Sequence, residues 1–114
     1  ICKMISIDGQ HIENSIKANF LQAIKGYMFS KDTYPSMILF RTYFRRASIH
    51  TYFCYFNLSL YFINKEGFVF SSAENILPGT FMRLSHRSLK YFLEIPSESP
   101  LNKMIKIGSH VCIN

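Results

Sequence analysis

From Gln10 to Phe29 the apolar positions Ile12, Ile16, Phe20, Ile24 and Tyr27 return at three- and four-residue steps. That is the spacing of one face of an α-helix. Asp8, just upstream, is placed to cap free N–H groups and to suit the positive end of a helix dipole. Gly26 and the stretch "SKDTYPS" close the pattern, because Pro35 disfavours helical backbone at Tyr34. Beyond Pro35 the pattern changes. "MILFRTYF", "SIHTYFCYF", "LSLYFIN" and "GFVFSS" are short and rich in aromatic and β-branched residues, which predicts strands.

"NKEG" (residues 64–67) predicts a turn joining "LSLYFI" to "FVF" as a hairpin. "SAEN" (72–75) reads as a short helical turn, and "LPGT" (77–80) as a loop. The tail offers "SLKYFLEI" and "MIKIGSHVCI", two strands or a strand and a turn, around the polar "PSESP". The expected fold class is α+β: an N-terminal amphipathic helix packed on a small antiparallel sheet, with a C-terminal extension. Residues 1–90 form the expected domain and 91–114 the extension.

Composition narrows the class. The 114 residues suffice for one core, and 48% apolar with 18% charged residues is a globular balance. The formal net charge of +6 is unevenly spread: residues 41–90 hold seven cations against two acids. Such a balance suits a polyanionic partner. Cys2, Cys54 and Cys112 are odd in number and far apart, which argues against a disulfide framework or a zinc site and fits a reducing compartment. The aromatic-apolar run over 52–62 is too short for a membrane span of ~20 residues. No membrane partner is expected. The wealth of Ile, Phe, Tyr, Lys and Asn, with no Trp, suggests an AT-biased genome such as an organelle's.

The cations concentrate in "FRTYFRRASI" (40–49). Were this one continuous strand, Arg41, Tyr43 and Arg45 would share a face, with Phe40, Thr42, Phe44 and Arg46 opposite. Arginine pairs bidentately with phosphate and stacks on bases, so the face would suit an RNA backbone. A solvated edge strand is the plainer alternative.

"RTYFRRASI" (41–49) resembles the Arg-Thr-Trp-Ser-Arg-Arg-Ser-Thr-Ile block of the S-nineteen family of small-subunit ribosomal proteins. "SIDGQHI", "LYFINKEGFVF" and "ENILPGTFMRLSHR" follow the family's order more loosely, through residue 88. The family's Gly-His-Lys is here Gly79-Thr80-Phe81. The resemblance implies a structural protein of the small-subunit head in a mitochondrial ribosome of the matrix. It would bind small-subunit rRNA beside the S-thirteen family protein, near the aminoacyl-site tRNA. The expected RNA-binding residues are Arg41, Tyr43, Arg45, Arg46, Ser48, Lys65, Arg83 and Arg87.

No enzymatic activity, cofactor or metal is expected. His11, His50, His86 and His110 are not at ligand spacing, and His110 near Cys112 fits no known pattern. "LSHRS" (84–88) sets Ser beside His without a nucleophile elbow, and the acids form no evident dyad. The alternative function is a non-ribosomal basic protein-interaction domain with an exposed aromatic patch.

Overall fold

The computed structural model describes residues 5–18, 26–27 and 36–113. The described elements are β1 (Ile5–Ile7), β2 (Gln10–Ile12), β3 (Ser15–Lys17), β4 (Met37–Arg41), β5 (Arg46–His50), β6 (Leu58–Ile63), β7 (Val69–Ile76), β8 (Phe81–Ser85), β9 (Tyr91–Pro96) and β10 (Val111–Ile113). A 3-10 turn over Pro100–Met104 lies between the last two strands. No α-helix occurs among the described residues, nor any helix long and apolar enough to cross a membrane.

The strands form three sheets. The central one has the order β3-β4-β9-β6-β7, flanked by β10-β1-β2 and by the two-stranded β5-β8. Among the described strands, only β3 and β4 run parallel; the other pairs are antiparallel.

Alternating side chains of the central sheet feed two cores. Met37, Leu39, Tyr61, Ile63, Leu93 and Ile95 pack with Ile5, Ile7, Ile12 and Val111 of the three-stranded sheet. Ile38, Phe40, Leu58, Leu60, Phe62 and Phe92 pack with Ala47, Ile49, Cys54 and Tyr27 on the opposite side. A sheet covered on both faces needs apolar residues at both parities, which is why "MILF" is a continuous apolar run and "LSLYFI" is broken only by the buried Ser59.

The expected α+β class is therefore corrected: the described chain is β throughout, apart from the 3-10 turn. Of the expected helix over 10–29, residues 10–12 and 15–17 are strands, while 19–25 and 28–29 lie outside the described residues. The physical reason is turn chemistry. Ile7 pairs with Gln10 across Asp8-Gly9, whose φ angles are +49° and +85°. Positive φ at both central positions marks a type I′ hairpin turn, for which Asp-Gly is a favoured pair. Asp8 thus caps no helix. Its N–H donates to the His110 carbonyl at 2.8 Å, and its Oδ1 accepts from the His110 N–H at 2.9 Å. A second turn at Glu13-Asn14, with Asn14 at φ +59°, leads into β3. "SAEN" is no helical turn either, since it lies inside β7.

β9 begins immediately after residue 90 and is the middle strand of the central five, while β10 pairs with β1. Glu94 of β9 faces the second core beside Tyr27, Cys54 and Phe40, between Ile38 and Leu60 on the neighbouring strands. Burial raises its carboxyl to about 8. Burial, and then the Glu94 charge, raises the Cys54 thiol to about 11.

Candidate functional site

Tyr43 and Arg46 form an isolated antiparallel bridge, closed by the Arg46 N–H donating to the Tyr43 carbonyl at 3.2 Å. The two residues between them, Phe44 and Arg45, have φ of +56° and +59°. This is again the type I′ signature, now built from two bulky residues in a region where non-glycine side chains are strained. Phe44 is 92% exposed.

Beside it lies the β6–β7 turn. There the Asn64 N–H donates to the Phe68 carbonyl and the Asn64 carbonyl accepts from the Gly67 N–H, both at 3.0 Å, while its Oδ1 accepts from the Glu66 and Phe68 N–H groups at 3.1 and 2.9 Å. That arrangement orients Lys65 and Glu66 outward.

The segment before β9 stitches these two turns together. The Thr42 N–H donates to the Lys90 carbonyl, and the Lys90 N–H donates to the Ile63 carbonyl, both at 2.9 Å. The His86 N–H donates to the Arg45 carbonyl at 3.2 Å. Buried Leu89 anchors the segment to the core, leaving Arg87 and Ser88 at the surface.

Between the three segments opens a cleft of about 370 Å³. Phe44 and Arg45 line it from the first turn, Asn64, Lys65 and Glu66 from the second, and Arg87, Ser88 and Lys90 from the third segment. Four cations thus face one carboxylate, and among the described residues no salt bridge joins Glu66 to them. The Thr42 hydroxyl at the wall is engaged with the Lys90 carbonyl at 2.9 Å.

The eight residues expected from sequence separate into three groups. Arg45, Lys65 and Arg87 meet in the cleft. Arg46, Ser48 and Arg83 instead share a shallow hollow of about 310 Å³ on the β5–β8 pair, where Ser48 faces Arg83 and Arg46 faces Ser85. Arg41 and Tyr43 line neither; the Arg41 guanidinium sits 5.8 Å from the Tyr43 ring centre. The shared face expected for Arg41, Tyr43 and Arg45 does not exist, because the turn ends the alternation at Thr42, which is buried. Sequence reasoning missed Phe44, Lys90, Asn64 and Glu66. A surplus of charge marked Lys90 only as one cation among seven. Among the described residues, no three His, Cys, Asp or Glu side chains converge where a metal could be held.

Two crystal structures share this fold. One is a protein of unknown function from Novosphingobium aromaticivorans, 21% identical, with a TM-score of 0.77 over 96% of this chain and 83% of that one. The other is a proposed transcription regulator from Sinorhizobium meliloti, 18% identical, with a TM-score of 0.77 over 97% of this chain and 92% of that one. No curated protein matches the chain. The family model of DUF192, described as "Uncharacterized ACR", matches residues 3–113.

These findings overturn the S-nineteen resemblance and what it implied: the ribosomal role, the rRNA, the S-thirteen neighbour, the aminoacyl-site tRNA and the mitochondrial ribosome. They lend no support to the alternative interaction-domain reading either. The block that carried the resemblance, 41–49, is the end of one strand, a strained turn and the start of another. Its arginine spacing reflects that turn. On the match over 3–113, the chain belongs to the DUF192 family.

Proposed function

We propose that the protein is a binding module for a small anionic ligand, phosphate-bearing by preference, held in the cleft between the two hairpin turns. The observation that carries this reading is the convergence of Arg45, Lys65, Arg87 and Lys90 on one cavity with a single carboxylate. Like charges brought together raise one another's energy, and an anion bound among them relieves it. Arginine forks match phosphate oxygens in bidentate pairs, while the lysines add point charges. At about 370 Å³ the cleft also falls within the range of small-molecule sites, ~300–1,000 Å³.

The role proposed is binding without catalysis. His86 directs its Nδ1 to the Ser88 backbone N–H at 3.0 Å instead of activating the Ser88 hydroxyl. Glu66 is the one carboxylate of the lining and has no acidic partner there for a general acid/base pair.

The test is calorimetric titration with inorganic pyrophosphate at low and at raised salt. Binding should weaken as salt rises. Arg45→Ala with Arg87→Ala should lower affinity by more than ~10-fold, since a hydrogen bond to a charged group contributes about 1.5–3 kcal/mol. Unchanged affinity in a double variant that melts like the wild type would refute the assignment.

A further inference from the structure

We infer that the anion taken by this cleft is a nucleotide, its base stacked on Phe44 and its phosphates held by the surrounding cations. The inference rests on the anion-binding reading above and adds the ligand's second half. Phe44 stands at the rim of the cleft with 92% of its surface exposed, on a turn whose two central residues both adopt positive φ. Solvent gains nothing from an apolar ring there, and the backbone strain adds to the cost. A ligand with a flat π-face next to its anionic group uses both features at once. Aromatic rings stack on any nucleobase, because every base has a π-face.

The opposite wall suits the sugar and base edges. Asn64 spends its Oδ1 on the Glu66 and Phe68 N–H groups, which leaves its amide NH₂ to donate. Glu66 supplies acceptors for ribose hydroxyls or an exocyclic amine. A bare phosphate would need neither wall nor ring. The cleft's volume corresponds to roughly a dozen waters at ~30 Å³ each, room for a ligand much larger than one phosphate group.

The experiment is a titration of the full chain with ADP, inorganic pyrophosphate and adenosine, repeated on Phe44→Ala, Phe44→Tyr and Arg45→Ala. ADP should bind roughly 5- to 150-fold more tightly than pyrophosphate, the range expected from one base–aromatic stack. Phe44→Ala should erase that margin and leave pyrophosphate binding intact, Phe44→Tyr should keep it, and Arg45→Ala should weaken both anions. Adenosine alone should bind more weakly than either. Equal affinities for ADP and pyrophosphate, unmoved by Phe44→Ala, would overturn the nucleotide inference while leaving the anion site standing. Absence of binding by both anions would overturn the two readings together. Retained pyrophosphate binding in Phe44→Ala serves as proof that this variant folds.

Discussion

Three places in the chain concentrate local cost, each for a different reason. Phe44 and Arg45 occupy turn positions that favour Asn-Gly. The double replacement Phe44→Asn, Arg45→Gly should stabilise the fold by about 1 kcal/mol, a rise of several degrees in melting temperature for a domain of this size. It should also abolish the stacking contribution to ligand binding, so melting and titration ought to move in opposite senses. Gly67, at φ +94°, is tied by its carbonyl to the Val111 N–H at 2.7 Å, and a Cβ there would lie 2.8 Å from the Val111 carbonyl oxygen. Gly67→Ala should cost about 1–3 kcal/mol, readable by chemical denaturation. Glu94 adds a pH term. Its folded value of about 8 exceeds its ordinary 4.5, so the folded state binds the proton more tightly. This contribution is fully present below 4.5 and is lost as pH rises toward and through about 8. Glu94→Gln should flatten the fall of melting temperature across that window; an unaltered profile would show that another group governs it.

At the scale of elements, the sequence was legible where burial on both faces left no ambiguity. "MILF" and "LSLYFI" became β4 and β6, and "NKEG" became the turn that positions Lys65. The N-terminal strands escaped because two-residue turns between three-residue strands imitate a helical step. Ile12 of β2 and Ile16 of β3 are four apart and both buried, yet Glu13-Asn14 separates them as a turn. The Asp8-Gly9 pair carried the contrary signal. For the cleft, charge pointed to Arg45, Lys65 and Arg87, but about twenty residues separate each from the next. Only the strand order brings them together, and the stitch through Lys90 is made by backbone atoms on which composition is silent. β9 is the element on which most depends, since it is the middle strand, paired with β4 on one side and β6 on the other, and its side chains enter both cores. Leu93, fully buried against β4 and β6, should cost roughly 2–5 kcal/mol on replacement by alanine. A loss well under that range in a denaturant titration would mean that the neighbouring strands close over the gap.

The described residues form a three-sheet stack in which the cleft occupies one end of the central sheet, beyond Arg41 of β4 and Ile63 of β6 and ahead of Tyr91 of β9. The ligand would therefore clamp hairpin ends and leave the cores untouched. Saturation should raise the melting temperature, by about 2.7 kcal/mol of added stability at a hundredfold excess over the dissociation constant. The pairing of β1 with β10 has a separate consequence. Ile5 stands opposite Ile113 in adjacent antiparallel strands, where Cα atoms lie ~5 Å apart. The first and last described strands thus lie side by side, and the order in which residues 5–113 are joined is one of several that the same contacts would accept. A circular permutant joined across this pair by a short glycine–serine bridge, and opened at the exposed Leu77–Pro78 bond, should keep every strand pairing described above. It would carry β9 and the Arg87–Lys90 wall early in the chain, making that wall available before the turn that bears Phe44.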